Sequence, residues 1–152
     1  MRIAICDDTI QDLHTLSALL DAYCISHPFV TYDCYSSATE LLCSMPEHDY
    51  QVLLLDILMP GLNGIELASE IRQQNKNIKI VFLSSSPEYA VDSYAVNAFY
   101  YLLKPLSADK LYPILNRLLD DFAKPAEVLH IKTPQHIFSI PFSKIELCRN
   151  YP

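Results

Sequence analysis

Three aspartates of this sequence stand directly after short apolar runs, at positions where strands of a sheet would end. Asp7 and Asp8 follow the run IAIC, and Asp56 follows VLLL. Carboxylates that meet at one edge of a sheet repel one another unless a cation lies between them. Oxygen-only ligands select a hard ion, so the set predicts a Mg²⁺ site, at which Mn²⁺ can substitute, and not a zinc or copper site. Taken singly, Asp7 or Asp8 is better explained as a helix cap or a solvated carboxylate.

A carboxylate beside a divalent cation can also attack phosphorus and form an acyl phosphate. Asp56 suits that role because it ends an apolar run and enters an MPG turn, which should hold its carboxylate at the sheet edge. Ser84 and Lys104 follow two later apolar runs. A hydroxyl and an ammonium there would stabilise the charge that spreads over a phosphoryl group during its transfer.

Apolar runs of strand length alternate with longer segments of helical period. The predicted strands are residues 2–6, 29–34, 51–55, 79–83 and 99–103, and the predicted helices are residues 12–23, 37–45, 64–74, 87–95 and 108–123. Five strand-then-helix repeats with almost wholly apolar strands predict an α/β fold: a doubly wound, five-stranded parallel sheet with helices on both faces. In such a sheet, polar residues at the carboxyl ends of the strands converge in a crevice.

The composition narrows the class of protein. The chain is 51% hydrophobic and 19% charged, which is typical of a folded domain. Its formal net charge of −7 disfavours contact with nucleic-acid phosphates. The five cysteines show neither a C-x-x-C pair nor histidines at metal-ligand spacing, which argues against a zinc or disulfide framework. Neither a signal-peptide layout nor an apolar run of membrane-spanning length occurs, so we expect a cytoplasmic protein without membrane contact.

The pattern changes after Lys124 and Pro125. The segments VLHIK, HIFSI and KIEL are short and strand-like, with turn residues and no helix between them. We therefore expect a first domain at residues 1–123, a linker at 124–127 and the first strands of a second domain at 128–152. This last segment is too short for a core of its own, so it either packs on the first domain or is a truncated piece, and we favour truncation.

Four motifs carry a family resemblance: ICDD at the end of the first strand, LLLDILMPGLNGIEL around the third, FLSSS after the fourth and YYLLKP after the fifth. On these residues the chain resembles, over about residues 1–123, the receiver domains of two-component response regulators. The resemblance implies a flavodoxin-like (β/α)5 sheet with strand order 2-1-3-4-5. It also implies that Asp56 accepts a phosphoryl group from a sensor histidine kinase, and that the domain is no enzyme beyond its own phosphorylation and dephosphorylation.

The resemblance also assigns the ligands of the cation. Asp8 would bind Mg²⁺ directly, Asp7 mainly through water, and Asp56 and the backbone carbonyl of Leu58 would complete the set. Leu58 departs from the family pattern because its side chain offers no polar group to an attacking water. We therefore expect slow autodephosphorylation.

A conformational switch follows from the same resemblance. Ser84 and Lys104 would bind phosphoryl oxygens, and the Lys104–Pro105 peptide bond would be cis. In the family, the hydroxyl at the position of Ser84 is drawn toward the phosphate, and the ring at the position of Tyr101 turns inward. This movement reshapes the surface formed by the fourth helix, fifth strand and fifth helix, roughly residues 87–119. The aromatic residues there favour a homodimer through this surface. Because serine replaces the commoner threonine, the switch could be less tightly coupled.

The segment PEYAVDSYAVNAFYYLLKP looks like the LytTR (LytR/AgrA-like) subclass, and the tail from VLHIK onward is similar to the opening strands of its DNA-binding domain. The resemblance implies a transcription regulator that binds DNA only through an effector domain, which is incomplete in this chain. Tyr100 stands where this subclass often has aspartate, which could change the dimer surface. Phe99 is interpreted as a core residue.

Two other interpretations stay open. A haloacid-dehalogenase-like phosphatase also uses a strand-end aspartate and magnesium, but it pairs that nucleophile with a second aspartate two positions later, where this chain has Leu58. A degenerate receiver could act as a phosphorylation-independent dimerisation module, although the complete set of acidic, hydroxyl and lysine residues argues against it.

Overall fold

The elements of the chain follow the predicted alternation of strands and helices. The computed structural model describes residues 1–123, 128–132 and 137–141. In chain order the first unit, Met1–Leu118, contains β1 (Arg2–Cys6), α1 (Ile10–Ser26), β2 (Thr31–Tyr35), α2 (Ala38–Ser44), β3 (Val52–Asp56), α3 (Gly64–Gln74), β4 (Lys79–Ser84), α4 (Ala90–Ala95), β5 (Tyr100–Leu103) and most of α5 (Ala108–Ala123). One turn of 3-10 helix, Met45–Glu47, follows α2. Within the described residues, every helix is too short or too polar to cross a membrane.

Strands β1 to β5 form one parallel sheet in the order β2-β1-β3-β4-β5. This confirms the predicted doubly wound five-stranded sheet, including the strand order. In the β1 and β3 pair, Ile3 lies opposite Val52 and Cys6 lies opposite Leu55, so the two strands end side by side. Parallel neighbours need a crossover connection, which the helices supply. Because the direction of winding reverses beside β1 and β3, a crevice opens between their carboxyl ends.

Helices cover both faces of the sheet. On one face, Cys6 of β1 packs in a single buried cluster with Leu41 of α2 and Leu67 of α3. At the other face, α1 and α5 meet, and the Tyr112 hydroxyl donates a hydrogen bond to the Leu19 carbonyl at 3.0 Å. All five residues of β3 are buried, and the apolar run Val52–Leu55 suits a strand that is covered on both faces.

Four elements, β2, α2, α4 and β5, are shorter than the sequence predicts, and β2 and α4 differ most at their starts. β2 begins at Thr31 and not at residue 29, because the Phe29 carbonyl accepts a hydrogen bond from the amino group of Met1 at 2.8 Å and the Phe29 ring is exposed. α4 begins at Ala90 and not at residue 87. Here the chain forms a turn, in which the Ala90 N–H donates to the Pro87 carbonyl at 3.2 Å.

The aromatic residues around β5 lie mostly outside the core. Phe99, interpreted from the sequence as a core residue, is only half-buried, and that interpretation is wrong. The charged groups of Lys79 and Arg117 lie 5.5 and 5.4 Å from the centroid of its ring. β5 is an edge strand of the sheet, and the neighbouring α4 has only 6 residues.

In the second unit, Leu119–Pro152, two strands are described after α5. β6 (Val128–Lys132) and β7 (Ile137–Pro141) form an antiparallel pair with Val128 opposite Pro141. The sequence predicts strands for VLHIK and HIFSI, and β7 begins and ends one residue later than predicted. The predicted linker at 124–127 and the KIEL segment at 144–147 lie outside the described residues, so the division into two domains stays a prediction.

The start of α3 packs directly against the end of β3. The Asn63 side chain caps the first helical turn, and the Glu66 carboxylate accepts the Asn63 N–H in return. A Cβ atom at Gly64 would lie 2.1 Å from the backbone oxygen of Asp56. Only glycine permits this approach, so the backbone of Asp56 rests against a firmly capped helix.

We predict that Gly64→Ala lowers the free energy of unfolding by about 2 to 3 kcal/mol, because the added methyl group must displace backbone at the end of β3. Urea denaturation measures the loss. Gly61→Ala is the matched control: Gly61 has a φ of 80° but open space around its Cβ position. It should lose only about 1 kcal/mol, the cost of a left-handed alanine. Equal losses in the two variants would contradict the close-contact explanation.

Candidate functional site

The three acidic residues predicted from the sequence meet at the carboxyl end of the sheet. Because β1 and β3 are neighbours in register, Asp7 follows β1 where Asp56 ends β3. One carboxylate oxygen each from Asp7, Asp8 and Asp56 lie within 4.8 Å of one another. Asp7 is 1% exposed and Asp56 is 4% exposed, whereas Asp8 is exposed. The cluster is therefore a crevice that is open to solvent on its Asp8 side.

Backbone contacts fix the carboxylate of Asp7. The Thr9 N–H donates to Asp7 Oδ1 at 2.9 Å, and the Asp7 N–H donates to the Tyr35 carbonyl at 3.2 Å. Burial raises the pKa of Asp7, and hydrogen bonds from Lys104 and Thr9 oppose this shift without cancelling it. The ionised carboxylate is thus less favourable in the folded chain than in water, and a bound cation would offset this cost.

One ammonium group supplies positive charge to the crevice. Lys104 Nζ lies 2.7 Å from Asp7 Oδ2, from Asp12 Oδ2 and from Asp56 Oδ1. Burial by itself would lower the pKa of Lys104, but its contacts with Asp12, Asp56 and Asp7 raise it above the ordinary value. Two of the ammonium N–H groups donate hydrogen bonds to Asp7 Oδ2 and Asp12 Oδ2, and Asp56 is held as an ion pair.

The ends of β4 and β5 hold Ser84 and Lys104 together. The Lys104 N–H donates to the Ser84 carbonyl at 2.8 Å, and the Lys104–Pro105 peptide bond is cis. Ser84 is fully buried, and its Oγ accepts a hydrogen bond from the Ser86 N–H at 3.2 Å. The Tyr101 hydroxyl donates to the Ser86 carbonyl. Ser86 thus connects the two residues that the sequence predicts as a switch.

Asp12 belongs to the site although the sequence prediction did not include it as a site residue. It lies in the first turn of α1, with its side chain 40% exposed. An acidic residue at that place is ordinarily explained by the positive end of the helix dipole. Because the helix dipole already explains an aspartate here, the sequence gives no reason to expect a contact between Asp12 and Lys104. Lys104 follows β5 and lies 92 residues away in the sequence.

The donor atoms of the crevice fit a hard divalent cation. The three clustered side chains offer only carboxylate oxygens, which Mg²⁺ prefers, and Lys104 already lies where positive charge is needed. Asp7, Asp8 and Asp56 could hold such an ion. Leu58, two residues after Asp56, has a 48% exposed side chain, and the assignment of its carbonyl as a further ligand stays a prediction.

Fold and crevice together define a flavodoxin-like α/β domain with an acidic site, contacted by a lysine, at the carboxyl edge of its sheet. The sequence profile of the response regulator receiver domain matches residues 3–116. This chain therefore belongs to the response-regulator receiver domain family.

Solved structures of similar proteins agree with this membership. The response regulator protein TrrA from Thermotoga maritima, in complex with Mg(2+)-BeF, is 29% identical with a TM-score of 0.66, over 77% of this chain and 97% of that one. The response regulatory domain of mrkE from Klebsiella pneumoniae is 25% identical with a TM-score of 0.70, over 80% of this chain and 98% of that domain.

Longer relatives extend beyond the part that this chain matches. The sensory transduction protein LytT of Oceanobacillus iheyensis is 40% identical over 81 residues, which are 52% of this chain and 33% of LytT. The transcriptional regulatory protein NatR of Bacillus subtilis is 29% identical over 119 residues, 78% of this chain and 50% of NatR. The chain thus spans about a third to a half of the length of these relatives.

We predict that Asp7→Asn stabilises the metal-free protein at neutral pH, because the amide keeps the size of the side chain and removes a buried charge. Folding raises the pKa of Asp7 above 3.8, so the ionised carboxylate opposes folding once the pH exceeds the folded-state pKa. Below the unfolded-state pKa the group is neutral in both states and this penalty vanishes.

Urea denaturation in EDTA should therefore show a gain in unfolding free energy for Asp7→Asn at about pH 7 that shrinks as the pH falls toward about 4. The exposed Asp49→Asn is the control, for which no comparable gain is expected. A loss of stability for Asp7→Asn at neutral pH would show that the ion pair with Lys104 outweighs the burial of the charge.

Proposed function

We propose that this chain is the receiver of a two-component system. Asp56 accepts a phosphoryl group from a sensor histidine kinase in a Mg²⁺-dependent reaction, and the phosphorylated protein controls transcription. The observation that carries the proposal is that Asp7, Asp8 and Asp56 meet within 4.8 Å while Asp56 lies 2.7 Å from the Lys104 ammonium. A carboxylate can attack phosphorus only where the negative charge of the phosphoryl group is offset, and this crevice offers a cation site and a lysine for that purpose.

The proposed reaction exchanges one bond to phosphorus for another. A carboxylate oxygen of Asp56 attacks the phosphorus, the bond to the kinase imidazole nitrogen breaks, and the imidazole keeps the electron pair and takes up a proton. Mg²⁺, when bound, offsets charge on the phosphoryl oxygens. Lys104 turns from the carboxylate of Asp56 to one phosphoryl oxygen, and the Ser84 hydroxyl donates to another. The proposed ligands of the ion are Asp7, Asp8, Asp56 and the Leu58 carbonyl.

The contacts of Ser86 support a direct connection between Ser84 in the crevice and Tyr101 on β5. Its N–H donates to Ser84 Oγ at 3.2 Å, and its carbonyl accepts the Tyr101 hydroxyl. When the Ser84 side chain turns to a phosphoryl oxygen, Ser86 loses its partner and shifts. The Tyr101 ring is then released from the carbonyl that holds it and turns inward. A threonine at position 84 would add a methyl group that limits this rotation, so serine makes the coupling looser.

The surface that this switch would alter is the α4-β5-α5 face, formed by α4, β5 and α5. Val91 and Tyr94 on α4 are 75% and 84% exposed, and Tyr100 and Leu103 on β5 are exposed as well. The guanidinium carbon of Arg117 on α5 lies 5.5 Å from the centroid of the Tyr100 ring. Aromatic and aliphatic side chains next to an arginine are typical of protein interfaces. We therefore assign this face as the interface of a receiver homodimer.

Control of transcription would come from a separate effector domain. We assign residues 1–123 to the receiver, 124–127 to a linker and 128–152 to the first strands of a LytTR-type DNA-binding domain. The similarity to the longer proteins LytT and NatR supports this assignment. DNA would be bound by the effector and not by the receiver, and a regulator of this kind would act in the cytoplasm, without membrane contact.

We predict that acetyl phosphate and Mg²⁺ add the mass of one phosphoryl group to the intact protein. The Asp56→Asn variant should show no gain, because the amide is not a nucleophile for phosphorus, and EDTA should abolish the gain in the wild type. Intact mass spectrometry measures both. Asp49→Asn, an exposed aspartate outside the crevice, is the matched control and should be modified like the wild type.

Other outcomes of this experiment would favour the alternatives. A wild type that gains no mass, yet dimerises, would be a phosphorylation-independent dimerisation module. Repeated hydrolysis of a small phosphoester would indicate a phosphatase.

We predict that the phosphorylated domain persists well beyond seconds, because the exposed side chain of Leu58 offers no polar group to orient an attacking water. Leu58→Asn supplies such a group and should shorten the half-life by about threefold to tenfold, equivalent to roughly 1 kcal/mol of barrier. The measurement is intact mass against time, with Mg²⁺ present and the phosphate donor removed. Ile25→Asn, at an exposed apolar residue outside the crevice, should leave the half-life unchanged. Wild-type decay within seconds would contradict the prediction.

A further inference from the structure

Among the described residues, Asp12 is the carboxylate bonded to Lys104 that stands outside the cation cluster. Lys104 Nζ lies 2.7 Å from Asp12 Oδ2, as it does from Asp7 Oδ2 and Asp56 Oδ1. The carboxylates that meet within 4.8 Å of one another are those of Asp7, Asp8 and Asp56. A cation in the cluster would therefore compete with Lys104 for two of its three partners, and Asp12 is the partner left to the lysine.

We propose that Asp12 is a positioning residue, which holds the Lys104 ammonium in the site when Asp7 and Asp56 turn to the cation. This inference rests on the proposed function. The Lys104 side chain is only 14% exposed, so an ammonium that lost its carboxylates there would be costly. A divalent ion beside it would add repulsion between like charges. Asp12 offsets both costs, so that the ion can enter without expelling the lysine that the reaction needs.

The surroundings of Asp12 suit this role. Its side chain is 40% exposed, against 2% for Asp7 and 6% for Asp56, so solvent stabilises its charge whichever way Lys104 turns. A cavity of about 110 Å³ lies between Asp12, Thr15, Lys104 and the Pro105–Leu106 segment. Lys104 therefore has room to move away from the carboxylates of the cluster and toward α1 while it stays bonded to Asp12.

The test is a double-mutant cycle on the affinity of the full chain for Mg²⁺ alone, measured by isothermal titration calorimetry without any phosphate donor. Asp12→Asn should weaken Mg²⁺ binding by about fivefold, a coupling of the size expected for groups in direct contact. In a Lys104→Met background the same substitution should change the affinity by less than about twofold, because the ammonium that Asp12 holds is gone. Asp12→Glu keeps a carboxylate within reach and should restore most of the wild-type affinity.

Asp21→Asn is the matched control for the loss of one negative charge from α1. The Asp21 carboxylate accepts a hydrogen bond from the Tyr32 hydroxyl at 2.5 Å and lies nine residues, or about 13 Å, further along the helix. It should leave the affinity within about twofold of the wild type.

Two results would overturn the inference while leaving the proposed function intact. Equal weakening by Asp12→Asn with and without Lys104 would mean that Asp12 attracts the ion directly through space. An unchanged affinity of Asp12→Asn, in a wild type that binds Mg²⁺, would mean that Lys104 needs no such partner. A wild type that binds no Mg²⁺ would overturn the inference together with the cation site of the proposed function.

Discussion

The structure around the crevice depends on one electrostatic constraint. Acidic side chains must lie at the end of a buried sheet with their negative charge offset, while the site stays accessible from solvent. Asp7 and Asp56 are nearly inaccessible to solvent, and water cannot stabilise them as it does Asp8. Lys104 meets this need from the edge strand β5, two strands away from β3. Neighbouring strands lie about 4.8 Å apart, so the charge has to cross roughly 10 Å, which a long and flexible lysine side chain can do. A short basic group on β5 could not.

Packing beneath the carboxylates keeps this arrangement in place without adding charge to it. Met59 is buried, and its Sδ accepts a weak hydrogen bond from the Cys6 thiol at 3.5 Å. Burial, reinforced by the nearby carboxylates, raises the pKa of Cys6 to about 12, so the thiol stays neutral next to Asp7 and adds no negative charge. The start of α3 at Gly64 also packs directly against the backbone of Asp56, which leaves no space there for another group. An apolar layer thus supports the acidic one, and only the solvent side stays available to an ion or a phosphoryl group.

Most of the fold and part of the site could be predicted because they follow from local patterns. The apolar strands and amphipathic helices give the order of the elements, and the parallel sheet then brings Asp7, Asp8 and Asp56 to one edge. The role of Asp12 could not be predicted, because its contact with Lys104 depends on where α1 lies relative to β5, which periodicity does not encode. The half-burial of Phe99 depends in the same way on tertiary contacts, since its ring lies between the charged groups of Lys79 on β4 and Arg117 on α5.

The two ends of α4 are anchored differently. Arg72 of α3 donates to the carbonyls of Val96, Asn97, Asn75, Lys76 and Ile78. The carboxyl end of α4 is therefore tied to α3 and to the start of β4. At the other end, Tyr89 provides no side-chain cap to the helix, and Ser86 is held by the Ser84 hydroxyl and the Tyr101 ring. If phosphorylation of Asp56 draws Ser84 away, as proposed, the amino-terminal end of α4, which has no side-chain cap, would yield first while the Arg72 contacts hold the other end. The helix would then pivot and not translate, which changes the presentation of Val91 and Tyr94 without disrupting the core.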